Sequence, residues 1–497
     1  MGKLFINLLS RVWVIFAGIL VVPIYLKFLG KEAYGLISFY TVLSGSLTLL
    51  DLGLSTALTR QVAIYHSKSS TKVNLSSLIK SVEIIYLSIG IFAGLILIIS
   101  SNFIIEYWLK FDTLSVSDVK WSVMSMGVLF AIQWPLSVYN GILNGVGKQQ
   151  TQGMLNIFGT FIRTICIIPF LYFGFNNLHF FFTWQVIISL IITIVSRLAI
   201  RQFLLLEGGF SLKEIRLIQK FAGGMFSISL ITFFLTQIDR LLLSKLVSLT
   251  ELGLYNIAYM LGTSVNFIIS TLQLLLFPAL SSVIATGEKQ KSLQVYTQFV
   301  KMVSIFGSVT GFFLIFFGKD LVIFWTKDPT VAENIYPTLI AITAGSMLNG
   351  IMVVPYTFML AKGITRYTFI QNIIVALISV PLTYILILKL GILGAGLVWG
   401  IINLSYVIIS LPIMNKKYIT VNLFKQYVYD IGQYFLLGFC VYAALRLFAN
   451  QLFSIVPFWV LMLFFIIGAS TFYFSFNFIR NRINIGIRGL YQQFKLI

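Results

Sequence analysis

Fourteen long apolar runs constrain this chain more than any other feature of its sequence. A helix that crosses a bilayer needs about 20 apolar residues, since each residue advances it by about 1.5 Å. Lipid offers backbone N–H and C=O groups no hydrogen-bond partners, so runs of this length predict membrane-spanning helices. The predicted spans are residues 8–29, 35–58, 80–100, 121–145, 153–174, 178–199, 219–244, 252–283, 298–318, 336–360, 367–389, 391–412, 429–449 and 455–478.

The composition indicates the same class of protein. Of the 497 residues, 58% are hydrophobic and only 10% are charged, whereas a soluble domain carries about 25% charged residues. So few charges could not cover the surface of a soluble protein of this size, and we expect an all-α polytopic membrane protein. Its net charge of +20 then reflects basic cytoplasmic loops beside anionic membrane lipids, and we expect no nucleic-acid partner.

The basic residues predict the orientation of the chain. With the N-terminus placed in the cytoplasm, 21 Lys and Arg residues fall in inner segments, 9 fall in outer segments and 5 lie within or at the ends of spans. Cytoplasmic loops carry an excess of Lys and Arg. We therefore expect both termini in the cytoplasm, and the ends of the helices are named inner and outer in this sense.

The chain also repeats itself. The stretches FLGKEAYGLISFY and LVSLTELGLYNIAY align Glu32 with Glu251 at an offset of 219 residues, while LNGVGKQQTQGMLNI and MLAKGITRYTFIQNI align Gly147 with Gly363 at an offset of 216. Two nearly equal offsets predict a duplicated six-helix unit, although apolar segments can also resemble each other by chance. The expected lobes are residues 1–205 and 206–415, followed by residues 416–497 with two further helices and a cytoplasmic tail. Two such pseudo-symmetric lobes are typical of alternating-access transporters.

Several kinds of chemistry are not indicated by the sequence. It contains no G-x-x-x-x-G-K-[ST] loop for ATP, and its two histidines and two cysteines form no metal-ligand spacing. The predicted outer loops are too short for a catalytic platform. We therefore expect no enzyme activity, no catalytic residue, no metal and no cofactor other than a coupling ion.

Arg163, in the segment FGTFIRTICIIPF, is the most informative charged residue. It lies ten residues from the inner end of its predicted span, near the bilayer midplane. A charge at this depth costs roughly 2.5–3.5 kcal/mol on insertion scales, so it usually faces a cavity or a partner. Arg163 is either an anion-binding residue in a central cavity or a paired residue that braces two helices.

Two carboxylates also lie within predicted spans. Asp239 is followed directly by Arg240, and the two side chains point about 100° apart on a helix, so they form no simple pair. Asp51 precedes Arg60 by nine residues, or about 13 Å along a helix, which is too far for contact. Each carboxylate is a candidate for coupling transport to H⁺ or Na⁺, or a fixed salt-bridge partner.

The remaining candidates are cations and neutral polar groups at or near the membrane. Arginine suits phosphate because its planar fork makes paired hydrogen bonds, so a lumen rich in basic residues and poor in acids predicts an anionic cargo. The candidate cations are Arg163, Arg60, Arg11, Arg240, Lys362 and Arg366. The candidate sugar contacts, which could equally be helix–helix hydrogen bonds, are Gln133, Trp134, Asn266, Gln371 and Asn372.

Three stretches resemble the polysaccharide-transporter, or Wzx-type oligosaccharide flippase, family. They are YLKFLGKEAYGLISFYTVLSGSLTLLDLGLSTALTRQVA, YNGILNGVGKQQTQGMLNI and TQIDRLLLSKLVSLTELGLYNIAYMLGTSV. The resemblance covers spans 1–12 and places the chain in the superfamily of multidrug-and-toxin extrusion transporters and lipid II flippases. It implies a V-shaped two-lobe fold and a cationic lumen, with Asp239 and Arg240 matching the family's charged positions and Asp51 and Arg60 matching them more loosely. Many relatives have twelve spans, and fourteen resembles the lipid II flippases.

The resemblance implies a bacterial inner-membrane protein that moves undecaprenyl-diphosphate-linked oligosaccharide, a repeat unit of O-antigen, capsule or exopolysaccharide, to the outer leaflet. Its partners would be this lipid-linked glycan, membrane lipids and the glycan polymerase machinery. Two alternatives remain open from the sequence. One is a cation-coupled multidrug exporter of the same superfamily, and the other is a membrane-embedded glycan polymerase or ligase.

Overall fold

A computed structural model describes residues 2–51, 53–67, 72–204 and 207–482, and within these ranges the regular structure is entirely helical. Short helical turns also follow α4 (Ser101–Phe103 and Ile104–Trp108) and α7 (Arg201–Leu204). The helices are α1 (Gly2–Leu29), α2 (Lys31–Leu50), α3 (Leu54–Ser67), α4 (Lys72–Ile99), α5 (Val116–Gly145), α6 (Gln149–Tyr172), α7 (Leu178–Ala199), α8 (Leu212–Thr236), α9 (Ile238–Leu246), α10 (Leu249–Ala285), α11 (Lys289–Thr326), α12 (Pro329–Ala361), α13 (Arg366–Leu390), α14 (Ile392–Ile419), α15 (Leu423–Leu452) and α16 (Phe458–Arg482).

The prediction of an all-α polytopic membrane protein is confirmed. Ten helices of the described residues are long and apolar enough to cross a membrane. Two further segments, Phe16–Leu29 and Phe458–Thr471, are apolar but shorter. Each of the fourteen predicted runs falls on one or two helices, while the exact number of spans stays a prediction.

Two of the predicted spans are broken helices. Between α2 and α3, Gly53 has a φ of 69°, and a Cβ there would lie 2.5 Å from the carbonyl oxygen of Ala222. Only glycine combines this left-handed conformation with such a close approach to α8. The second break separates α8 from α9 at Gln237, whose φ of −128° lies outside the helical range. Broken helices place polar groups at membrane depth, where they commonly form binding sites.

The chain divides into two compact units. Unit 1 comprises Met1–Ile257 and Phe369–Ala395, and unit 2 comprises Ala258–Thr368 and Gly396–Ile497. In unit 1, α3, α4 and α5 enclose fully buried side chains such as Leu58, Leu78 and Val138. In unit 2, α11, α12 and α14 do the same around residues such as Phe317 and Phe358. The predicted lobe boundaries at residues 205 and 415 stay a prediction.

Two inner turns at equivalent positions of the predicted repeat have the same geometry. Gly147 and Gly363 have φ values of 76° and 73°. The N–H groups one residue later, of Lys148 and Ile364, donate to the carbonyls of Leu143 and Met359 at 2.8 and 2.9 Å. All three pairs of residues stand 216 positions apart. The same left-handed glycine therefore ends α5 and α12 in the same hydrogen-bonded turn.

Helix α15, which follows the predicted repeat, is held to α11 by two ion pairs. Arg446 Nη1 lies 2.6 Å from Asp320 Oδ2, and Lys301 Nζ lies 3.4 Å from Asp430 Oδ1. Both carboxylates are buried. Each pair supplies the counter-charge that lipid cannot supply, so α15 is an integral part of unit 2.

Labelling of single cysteines tests the predicted orientation, after Cys166 and Cys440 are replaced by alanine. Lys120 in the first turns of α5 and Gln290 in the first turn of α11 are both exposed. We expect a membrane-impermeant maleimide to label Lys120→Cys in intact cells and Gln290→Cys only after permeabilisation. The reverse pattern would place both termini outside.

Candidate functional site

Arg163 lies deep in the membrane part of unit 1, on an irregular turn of α6. Residues Phe161–Ile165 form a π-helical turn, in which the N–H of Cys166 donates to the carbonyl of Phe161 at 3.2 Å. Such turns are rare in proteins overall, and those that occur are frequently found at functional sites. Arg163 follows the inner end of α6, at Gln149, by 14 residues, or about 21 Å of helix. Its position near the bilayer midplane stays a prediction.

Neutral groups from three other helices form a hydrogen-bonded chain that begins at a partner of Arg163. The Tyr40 hydroxyl of α2 is close enough to interact electrostatically with the guanidinium. Tyr40 donates to Gln133 Oε1 on α5 at 2.9 Å, and Gln133 Nε2 donates to Ser189 Oγ on α7 at 2.8 Å. Because the tyrosine proton is used by Gln133, the Tyr40 oxygen is left as an acceptor. We call Arg163, Tyr40, Gln133 and Ser189 the Arg163 cluster.

No carboxylate compensates the charge of Arg163 in the described part of the chain. Its Nε atom is buried and has no hydrogen-bond partner there. The acids on the neighbouring helices are engaged elsewhere: Glu83 with Arg197 and Tyr139, Asp51 with Tyr86, Glu214 with Tyr65, and Asp239 with Tyr255. An unpaired buried cation is costly, so this arrangement favours an anionic ligand over a bracing role.

The two candidate ion-coupling residues have different surroundings. Both oxygens of Asp51 are satisfied, because Tyr86 Oη donates to Oδ1 at 2.6 Å and Ser55 Oγ donates to Oδ2 at 2.8 Å. At Asp239, Tyr255 donates to Oδ2, while the buried Oδ1 has no hydrogen-bond partner within the described ranges. Asp239 therefore retains a free acceptor beside the break between α8 and α9.

The three other candidate arginines of unit 1 lie on α9, α3 and α1. Arg240 on α9 donates from Nη2 to the carbonyl of Thr236 at 3.1 Å, across the same helix break. Arg60 is exposed on α3. Arg11 lies on α1, and its side chain falls outside the described residues.

Two candidate cations, Lys362 and Arg366, lie at the inner end of unit 2. Lys362 Nζ donates to the carbonyl of Tyr418 at 2.7 Å and lies 4.6 Å from the centre of the Phe358 ring. Partial burial, and then the nearby charge of Lys289, hold the pKa of the Lys362 ammonium below its usual range. Arg366 is exposed at the first position of α13.

The five candidate sugar contacts are distributed over both units. Gln133 belongs to the Arg163 cluster. Trp134 is buried and packs against Tyr86 at 6.0 Å between ring centres, so it lies beside the residue that holds Asp51. Asn266 on α10 and Gln371 on α13 each have a buried amide oxygen that has no hydrogen-bond partner among the described residues, and Asn372 follows on α13.

The structure shows several functional groups that the sequence did not single out. Tyr40, Tyr86 and Tyr255 all present hydroxyls to ionisable or amide groups within the membrane helices. Glu83 is also buried on α4, where it accepts from Arg197 Nε at 2.7 Å. Tyrosines placed inside apolar runs were the available indication, because a buried hydroxyl needs a partner.

The outer ends of α2 and α10 meet without space for a side chain. A Cβ on Gly35 would lie 1.8 Å from the carbonyl oxygen of Leu249, and a Cβ on Gly253 would lie 3.1 Å from the backbone N of Gly35. This contact joins the first turns of two helices that the sequence repeat makes equivalent. We call it, together with residues 108–114 and 244–249, the outer junction.

Residues 108–114 form hydrogen bonds to both helices of the outer junction or to the residues next to them. Glu32 accepts from the backbone N–H groups of Asp112 and Leu114 at 2.6 and 2.8 Å, and also from Thr113. Lys110 is bonded through its backbone carbonyl to Leu249 N at 2.9 Å and through Nζ to Leu246 O at 2.8 Å. These bonds tie both repeats together at their outer ends.

Solved structures define the class of fold. An inward closed structure of the lipid II flippase MurJ aligns with a TM-score of 0.73 at 19% identity, covering 97% of this chain and 99% of that chain. An inward-facing multidrug resistance MATE family transporter of the MOP superfamily aligns with a TM-score of 0.64 at 14% identity, covering 83% and 100%. The protein is therefore an α-helical membrane protein with the fold shared by these transporters.

Sequence comparison then gives the family. The family model described as "Polysaccharide biosynthesis protein" matches residues 2–284, which is more than half of the chain. The chain belongs to this family. A protein of Shigella flexneri named "Putative O-antigen transporter" is 22% identical over 378 residues, which are 75% of this chain and 87% of the relative. The resemblance seen in the sequence is thereby confirmed.

Gly35→Ala tests the outer junction, since its methyl group has no room against Leu249. Thr41 is exposed on α2, six residues further into the membrane, and serves as a reporter when replaced by cysteine in a background without native cysteines. We expect an impermeant maleimide added from outside to label Thr41→Cys several-fold faster when Gly35→Ala is present. Gly18→Ala, where no atom lies within 4 Å of the added Cβ, is the matched control and should change nothing. Equal labelling in all three proteins would show that the junction does not close this path.

Proposed function

We propose that the protein is a flippase that moves a polyprenyl-diphosphate-linked oligosaccharide from the inner to the outer leaflet. The observation that carries this proposal is the family match over the N-terminal half on a chain that takes the fold of a lipid II flippase over nearly its whole length. The O-antigen transporter named among the relatives supports the same cargo class. The protein acts as a transporter and not as an enzyme, in a bacterial inner membrane, with both termini inside.

The outer junction supports an alternating-access mechanism. Cargo bound from the inner leaflet can leave on the outer side only after contacts such as Gly35 against Leu249 have separated. This contact consists of helix ends and hydrogen bonds, and no buried ion pair is found in it among the described residues. Contacts of this kind can re-form in each cycle. The cycle needs two arrangements of the repeats that differ by only a few kcal/mol.

The cations supply the attraction for an anionic headgroup. The diphosphate enters at the inner leaflet, where Lys362 and Arg366 lie at the inner end of unit 2. Arg11, Arg60 and Arg240 of unit 1 remain further candidate cations in this proposal. A multidrug exporter would instead need carboxylates free to receive an organic cation. Of the two candidate carboxylates, Asp51 has both oxygens bonded, and Asp239 has one oxygen without a partner in the described part of the chain.

The membrane potential supplies part of the driving force. A lipid diphosphate is negative, as is the cell interior, so outward movement gains about 2.3 kcal/mol per net charge per 100 mV if the arginines do not move with it. An ion gradient can add to this at Asp239, whose buried Oδ1 has no partner in the described part of the chain. We propose H⁺ or Na⁺ as the coupling ion at this residue.

Removal of the gene from its native host tests the function. We expect surface polysaccharide to be lost and its lipid-linked repeat unit to accumulate, protected from a membrane-impermeant glycosidase added outside. Re-expression of the wild-type chain should restore both. Normal surface polysaccharide in the deletion strain, without a second flippase gene, would contradict the proposal.

Two matched substitutions test ion coupling in proteoliposomes that contain the lipid-linked repeat unit. We expect Asp239→Asn to abolish the stimulation of flipping by an imposed H⁺ or Na⁺ gradient. Asp51→Asn should keep this stimulation, because the Asp51 carboxylate already has its hydrogen bonds within the protein. If Asp51→Asn alone removes the stimulation, the coupling residue has been misassigned.

A further inference from the structure

The Arg163 cluster offers one positive charge among neutral groups, and this limits what it can bind. We propose that it recognises the carboxylate of an acidic sugar in the transported glycan, so that the cargo of this chain contains a uronic or similar acid. This inference rests on the proposed flippase function and specifies its substrate. The diphosphate, which is common to all such cargo, is held elsewhere.

The charge balance favours a monoanion at this site. In the described part of the chain, the ionisable group that interacts with the Arg163 guanidinium is the neutral phenol of Tyr40, and no second cation joins it. One guanidinium neutralises one carboxylate, which its planar fork can bind with two parallel hydrogen bonds. A diphosphate carries at least two charges and would leave one of them uncompensated in a membrane interior.

The unsatisfied groups around the site are donors. Arg163 Nε and Trp13 Nε1 are both buried and have no hydrogen-bond partner within the described ranges. The ring of Trp13 packs on that of Phe161, in the same π-helical turn as Arg163, at 6.2 Å between ring centres. Buried donors without partners are costly, and a ligand rich in acceptors, such as a carboxylate beside ring and hydroxyl oxygens, would satisfy both.

The depth of the site fits the sugar part of the cargo. The diphosphate of a membrane lipid lies at the level of the headgroups, whereas Arg163 lies about 21 Å along α6 from its inner end. A sugar two or three units from the diphosphate can reach this depth while the diphosphate stays at the level of the headgroups. The aromatic ring of Trp13 and the amide of Gln133 are also typical sugar-binding groups.

Two synthetic cargoes that differ only in one carboxylate test the proposal. Both are polyprenyl-diphosphate-linked disaccharides, one ending in glucuronic acid and the other in glucose, and flipping is measured in proteoliposomes without membrane potential. We expect the wild-type protein to flip the acidic cargo about tenfold faster or more, since a charge-assisted pair discriminates by this order. Arg163→Gln should lose the preference but keep flipping the neutral cargo, and Arg163→Lys should keep part of the preference because a point charge lacks the fork.

The control variant is Arg216→Gln, which removes an exposed arginine at the inner end of α8 and should keep the wild-type preference. Competition provides a second measurement that does not depend on an Arg163 variant being folded: free glucuronate, but not glucose, should slow flipping of the acidic cargo by the wild-type protein. Equal flipping of both cargoes by the wild-type protein, or an equal loss of both in a folded Arg163→Gln protein, would overturn the acidic-sugar assignment. Failure to flip either cargo would instead count against the flippase function itself.

Discussion

The lipid interior offers neither counter-charges nor hydrogen-bond partners, so every ionisable group in a membrane helix must be satisfied by the protein or by its ligand. Several such groups among the described residues are satisfied internally. Glu83 is bonded to Arg197 and Tyr139, and Asp320 is bonded to Arg446. These pairs join neighbouring helices. Arg163 stands out because its neighbours are neutral.

The outer junction is the second feature on which the proposed transport cycle depends. It holds the outer ends of α2 and α10 together through a glycine contact and through the hydrogen bonds of Glu32 and Lys110. The glycine contact between Gly35 and Leu249 consists of small residues and backbone groups, and it can separate without breaking an ion pair. The opposite arrangement, with buried ion pairs at the junction, would make each opening far more costly.

Much of the fold could be predicted from the sequence because it depends on local composition. The apolar runs located the helices. Because Arg163 lies deep in one of these runs, it could be identified as a candidate anion-binding residue. The similarity of the stretches around Gly147 and Gly363 predicted a duplicated unit, and both glycines end a helix in the same left-handed turn. These features are properties of short segments, which a single sequence displays directly.

The pairing of polar groups could not be predicted in the same way. The bond from Tyr40 to Gln133 joins residues 93 positions apart, and the bond from Arg446 to Asp320 joins residues 126 apart. Nothing in the local pattern specifies such partners. Hydropathy also averages over about twenty residues, so it did not reveal the break at Gly53 or the π-helical turn at Arg163. Both irregularities lie beside polar groups, where the rules for regular helices are expected to fail.

The central claim is that this chain binds a lipid-linked glycan, and the lipid that accompanies it from native membranes tests this most directly. Native mass spectrometry of the protein extracted from its own host should show a bound species whose mass is that of a polyprenyl diphosphate carrying a sugar repeat unit. Fragmentation of this species should release the sugars and leave the polyprenyl phosphate. If only ordinary phospholipids accompany the protein, from cells that contain abundant lipid-linked repeat unit, the account is contradicted.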